Sequence, residues 1–130
     1  MIVGMLVFML NLPFVCGDES DLKARRSDPE QLFAFQVHRI LVNKCFACHG
    51  AEPDQIEGEL DLTSRAGLLK GGATGEALIV LGRPEGSPLY LAIQRDDDVW
   101  SAMPPKESER LTSEELVFVK EWIAAQAPWP

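Results

Sequence analysis

Cysteine and histidine are both scarce in this chain, with three of the first and two of the second among 130 residues. They are also unevenly spread: Cys45, Cys48 and His49 fall within the short stretch "NKCFACHG". Basic clusters are few, none longer than Lys23-Ala24-Arg25-Arg26, and 12 basic residues face 20 acidic ones for a net charge of −8. A nucleic-acid partner needs a basic face that releases counterions, so that class is excluded. An acidic surface suits docking to a basic-surfaced partner, without identifying one. The glycine-rich stretch "GGATGEALIVLGRPEG" lacks the Gly-Lys-Ser/Thr ending of a phosphate loop, and the strand–helix alternation of a nucleotide-binding sheet is missing. No nucleophile paired with a base is evident, so the chain is not expected to be an enzyme by itself.

Charge is absent from the first 17 residues, "MIVGMLVFMLNLPFVCG". The run is short for a bilayer span, and Asn11 and Pro13 interrupt it. It reads as a secretory signal cleaved after Gly17, which places the chain in the periplasm or cell envelope. Its front end carries no Lys or Arg, so a retained N-terminal anchor is the competing reading and the only membrane attachment expected. Lipid attachment at Cys16 is disfavoured by the preceding Val15. Residues 18–27 form a polar leader, and 28–130 make up one domain. Cleavage leaves Cys45 and Cys48 as the only thiols and Met103 as the only methionine, with His38 and His49 the only imidazoles.

The domain reads as helices joined by glycine- and proline-rich loops. "DPEQLFAFQVHRILVNK" offers Asp28 as N-cap, Pro29 at the first helical position and Gln31 in capping-box spacing. Phe33, Val37, Ile40 and Lys44 share one face, which Leu32, Phe35 and Val42 widen. "LTSEELVFVKEWIAAQAPWP" opens on Thr112 and Glu115 in the same spacing, carries Leu116, Val119 and Ile123 on one stripe, and closes at Pro128. Between them come an extended piece at Leu60–Leu62, a brief helix capped by Thr63 or Ser64 and stopped at Gly71-Gly72, and a helix begun by Ser87 and Pro88. The class is all-α.

Cys-x-x-Cys-His is the attachment motif of c-type haem. Two thiols on one turn reach both former vinyl groups of a porphyrin edge, and the next residue sets its imidazole beneath the iron. One covalent haem c on Cys45 and Cys48, with His49 as proximal ligand, is therefore the leading reading. A zinc site wants four ligands, and His38 is the only further imidazole. A redox Cys-x-x-Cys starts a helix after a strand, where the dipole lowers the thiol pKa, whereas this pair follows a helix. An inert disulfide between the two is the remaining rival. For the sixth iron position, Met103 lies in "SAMPPKE", where Pro104 and Pro105 stiffen an extended loop. Thioether ligation raises the potential relative to bis-histidine and fills the oxygen site. His38 is the competing ligand, but its helix ends on the proximal side.

"LVNKCFACHG", "GELDLTSRAGLLKGG", "GSPLYLAIQRDDD", "MPPKESERLTSEELVFVKEWI" and "QAPWP" together resemble the planctomycete-type cytochrome c domain, of the class I monohaem cytochromes. The likeness covers about residues 30–130. It implies a small helical fold with crossing N- and C-terminal helices, Cys45 and Cys48 bonded to haem, and His49 and Met103 as axial ligands. Such domains often precede much larger ones in long secreted proteins, whereas this sequence stops where the cytochrome domain stops. A free-standing carrier and a piece of a larger protein both stay open.

Other features have structural readings. Gly67, Gly71, Gly72 and Gly75 supply turns near the haem edge. Asp96-Asp97-Asp98 lacks the spaced ligands of a calcium loop and reads as a solvated turn. Trp122 and Trp129 wall the haem or pack the terminal helices, while Trp100, close to Met103, is the best candidate haem contact. Arg83, Arg95 and Lys106 are candidates for pairing a propionate. The function expected is single-electron transfer by an exported monohaem cytochrome. A haem sensor or peroxidase-like module with a labile sixth ligand, and a module in which haem only builds a core, are the alternatives.

Overall fold

The computed structural model describes residues 19, 20, 23, 24, 28–50, 52, 54 and 56–130. The signal or anchor expected at 1–17, and most of the polar leader, lie outside the described residues. The first helix begins at its cap: the Asp28 carboxylate accepts from the N–H groups of Glu30 and Gln31, and Pro29 fills the first helical position. Gln31 does reach back, but its Nε2 donates to Asp28 Oδ2 at 3.1 Å, so the contact is between side chains and not the reciprocal backbone box.

This helix runs as α1 (Pro29–Leu32), a π-helical turn (Phe33–Val37) and α2 (His38–Lys44). The His38 N–H donates to the Phe33 carbonyl, a register that the apolar periodicity did not disclose. Leu32, Phe33, Val37, Ile40 and Leu41 are buried. Phe35 and Val42, expected to widen this face, are 52% and 45% exposed. At about 100° per residue, Phe35 stands nearly opposite Phe33 on the helix, which is why it meets solvent.

α3 (Arg65–Lys70) starts at Ser64, whose Oγ accepts from the Gly67 N–H, and stops at Gly71 in the left-handed region at φ 76°. Only glycine fits there, because a Cβ would stand 2.0 Å from the Glu76 carbonyl oxygen. α4 (Pro88–Gln94) follows Ser87, but that side chain does not cap it. The fully buried Ser87 hydroxyl instead donates to the Arg83 carbonyl at 2.8 Å and accepts from the Val80 N–H at 2.9 Å, folding the preceding loop back on itself. α5 (Ser113–Ala124) carries the expected box, with Thr112 and Glu115 bonded reciprocally.

Past α5 the Gln126 N–H bonds Ile123 O at 3.1 Å and the Ala127 N–H bonds Trp122 O at 2.9 Å. That pair of bonds is a Schellman closure, with Gln126 at φ 71° where glycine is usual. Arg65 secures the tail from α3, donating from Nε to Ala127 O at 2.9 Å and from Nη2 to Gln126 O at 3.2 Å. Short 3₁₀ turns occupy Glu57–Glu59, Pro84–Gly86 and Glu107–Glu109, and no strand occurs among the described residues. The fold is all-α. None of the described helices is long and apolar enough to cross a membrane.

Aromatic rings join the first and last helices. The Phe33 ring centroid lies 4.5 Å from Trp129 and 5.7 Å from Trp122, and Trp122 Nε1 donates to the Pro128 carbonyl at 2.8 Å. Both tryptophans therefore pack the terminal helices, one of the two roles open to them. Leu68, Ile79, Leu89, Tyr90, Ile93 and Phe118 extend the same core. Trp122 is fully buried, so Trp122→Ala is expected to cost about 3–5 kcal/mol, the range for emptying a large aromatic site. Urea unfolding of the two proteins measures the difference; a loss below about 1 kcal/mol would mean that this cluster is not the core.

Candidate functional site

α2 hands the chain directly to the Cys-x-x-Cys-His turn. The Leu41 carbonyl accepts from both the Cys45 and the Phe46 N–H, at 2.9 and 3.0 Å. The Cys45 carbonyl then accepts from the Cys48 and His49 N–H groups, at 3.2 and 3.0 Å. All three motif side chains thus hang from one tight turn. Cys45 is half-buried against the core, Cys48 is exposed, and both thiols are free. Burial pushes the Cys45 thiol up to about 11, with the Lys44 charge opposing and Cys48 adding to it. A thiol held neutral is a poor nucleophile, whereas a thioether carries no charge and loses nothing by burial.

The segment after the motif wraps back over it. Glu57 N–H donates to Cys48 O and Leu62 N–H to His49 O, both at 2.9 Å. The Glu57 carbonyl thereby meets His49 Nδ1 at 3.1 Å. A carbonyl only accepts, so Nδ1 carries the proton and Nε2 keeps its lone pair for a metal. Gly50 makes the wrap possible: at φ 144°, its Cβ would stand 2.3 Å from Thr63 Cγ2. Asp61 Oδ1 finishes the turn, accepting from the Thr63 N–H at 2.8 Å and the Thr63 hydroxyl at 2.6 Å.

Met103 sits, half-buried, on the loop after α4, and its N–H donates to the Ala92 carbonyl at 3.0 Å. The Met103–Pro104 bond is cis. Trp100, also half-buried, belongs to a turn in which Asp97 Oδ1 accepts from the Val99 and Trp100 N–H groups, at 2.8 and 2.7 Å. The acidic run is therefore a side-chain-closed turn. Lys44, next to the motif, ties the end of α2 to the turn that precedes α5. Its Nζ donates to Glu109 O at 3.3 Å and Arg110 O at 3.1 Å, and pairs with Glu115 at 3.7 Å. A cavity of about 320 Å³ lies between the end of α4, the Met103 loop and the start of α5, lined by Ile93, Arg95, Ala102, Leu111 and Leu116 among others.

His38 is exposed on α2, tilted against Phe33 at 5.7 Å and edge-on to Phe46 at 6.1 Å. No group of three or more His, Cys, Asp or Glu side chains is placed to hold a metal ion among the described residues. Of the propionate candidates, Arg95 binds the Pro104 carbonyl and Glu107, Lys106 pairs with Glu109, and Arg83 is exposed. Sequence reasoning missed the Glu57 carbonyl, the Lys44 tether and the Asp61–Thr63 turn. The first has no side-chain signature, and the second depends on contacts across more than 60 residues. The third did have one, since Asp-x-Thr is a familiar turn closure.

A family model described as planctomycete cytochrome C matches residues 45–107, a stretch that opens on Cys45 and includes Met103. No curated protein and no solved structure matches the chain.

Asp61 supplies a pH test of the wrap. Its carboxyl is held below the ordinary carboxylate value, first by the Thr63 hydroxyl and then by the Thr63 N–H. A folded value below the unfolded one means that the contribution is complete above the unfolded value and lost as pH falls through the folded one. Urea midpoints followed from about pH 6 to about pH 3 are expected to fall more steeply for the wild type than for Asp61→Asn. Identical slopes would show that this carboxylate does not stabilise the turn.

Proposed function

We propose, from the match of residues 45–107 to the planctomycete cytochrome C family model, that the chain is an exported monohaem c-type cytochrome that passes single electrons. The observation that carries the reading is the His49 ring: Nδ1 is committed to the Glu57 carbonyl, so Nε2 would be the nitrogen that holds the iron. The residues present fit the group in their chemistry. Cys45 and Cys48 are free thiols on one turn for two thioethers, His49 offers one bare nitrogen, and Met103 offers a neutral sulfur from a separate, tethered loop. Trp100, half-buried between α4 and Met103, would contribute to the apolar surround. Once bound, haem supplies an iron that gains or loses one electron.

The protein's part is to hold these donors still and keep water from them. The Glu57 bond fixes the imidazole's rotation, and Cys45 is held half-buried against the core. The Ala92 bond anchors the backbone of Met103. The uncharged, apolar stretch of residues 1–17 supports export, and the net charge of −8 supports a basic-surfaced redox partner.

Haem staining after denaturing electrophoresis tests the attachment, using full-length chain exported beside a c-type maturation system. Stain is expected to stay with the wild-type band and vanish in Cys45→Ser/Cys48→Ser; a folded, exported wild type without stain would sink the haem reading. Ligation is read separately. Met103→Ala is expected to lose the far-red charge-transfer band of methionine-ligated ferric haem, lower the reduction potential and admit cyanide. A wild type that already lacks the band and binds cyanide readily would favour the sensor or peroxidase-like alternative.

A further inference from the structure

We propose that Arg95 is a positioning residue for Met103, its guanidinium clamping the methionine loop to the end of α4. The inference rests on reading Met103 as the sixth ligand. Pro104 and Pro105 follow Met103 and carry no N–H, so that stretch of loop can be fastened only through its carbonyls and through the Met103 N–H itself. Both kinds of fastening are present. The Met103 N–H donates to the Ala92 carbonyl at 3.0 Å, and Arg95 Nη1 donates to the Pro104 carbonyl on the other side of the methionine.

Arg95 is set for this role by its own backbone and by a carboxylate. It ends α4 at φ 64°, in the left-handed region, with its N–H bonded to the same Ala92 carbonyl that holds Met103. Its Nη2 pairs with Glu107 at 3.0 Å, and Glu107 in turn accepts from Arg110 at 2.7 Å. One guanidinium therefore serves a carbonyl on one side of the loop and a carboxylate further along it, which the planar five-donor fork permits and a lysine ammonium does not reproduce. The Arg95 side chain is 17% exposed against 65% for Glu107, so its bond to Pro104 is the better shielded from water. Loss of such a bond frees the loop on one side of the sulfur while the Ala92 bond still holds the other.

The test uses the haem-loaded, full-length protein and reads the iron, not electron-transfer activity. Arg95→Ala is expected to bind cyanide to the ferric iron about tenfold to a hundredfold faster than wild type, the size of one charge-assisted hydrogen bond. Its far-red band should weaken and its potential fall toward that of Met103→Ala. Arg95→Lys should recover only part of the change, and Glu107→Gln should move the same readouts in the same direction by less. Those two variants carry the test if Arg95→Ala does not fold. Arg95 variants that are less stable in urea yet keep the wild-type band, potential and cyanide rate would overturn the assignment and leave a purely structural side chain. Met103→Ala measured alongside separates the two levels. If it loses the band and the Arg95 variants do not, only the clamp is wrong. If it matches wild type, methionine ligation itself fails and the clamp falls with it.

Discussion

A histidine that serves a metal must present one nitrogen and give up the other, and here the Glu57 carbonyl takes up that second nitrogen. The rest of the site can be traced back from this bond. Glu57 reaches His49 because its own N–H is held by Cys48 and because Leu62 returns to the His49 carbonyl. That return packs the Thr63 and Asp61 side chains where a Cβ on residue 50 would stand, a position that glycine leaves open. The wrap is thus a continuous backbone device, built over the motif from the residues that follow it.

Two kinds of long-range contact then tie the helix that carries the motif to the C-terminal helix and the turn before it, and they differ in strength. The Lys44 pair with Glu115 is partly solvated at 3.7 Å, the class of ion pair worth about 0–1 kcal/mol. The Phe33–Trp122–Trp129 cluster buries large aromatic surface, worth several times as much. Packing of the terminal helices therefore sets the frame, and Lys44, Arg65 and Arg95 fix its register. Each of these three cations spends its donors on backbone carbonyls of another segment: Glu109 and Arg110, Gln126 and Ala127, and Pro104. In a chain this acidic, placing basic side chains at loop carbonyls puts scarce positive charge where backbone acceptors lack helical partners.

What could be read from the sequence was local. Asp28, Ser64, Thr112 and Gly71 mark helix ends through bonds within a few residues, and their types reveal them. The expectation for Cys45, Cys48 and His49 is local in the same way, since the covalent attachment proposed to one porphyrin edge would demand a fixed short spacing. Features that depend on packing stayed hidden. Ser87 has the type and position of a cap but is drawn into the Val80–Arg83 loop. Gln126 adopts a glycine conformation because Trp122 and Arg65 hold the tail there. Phe35 has the composition of a core residue but the angular position of a surface one.

The central claim is that one haem is covalently held by the Cys45–His49 turn, and intact-mass measurement of the exported protein tests it most directly. The account predicts a chain heavier than its mature polypeptide by the mass of one haem, retained through acidified-acetone extraction, with the added mass confined to the proteolytic peptide containing Cys45 and Cys48. A chain of polypeptide mass alone, or haem that extracts freely, would contradict it.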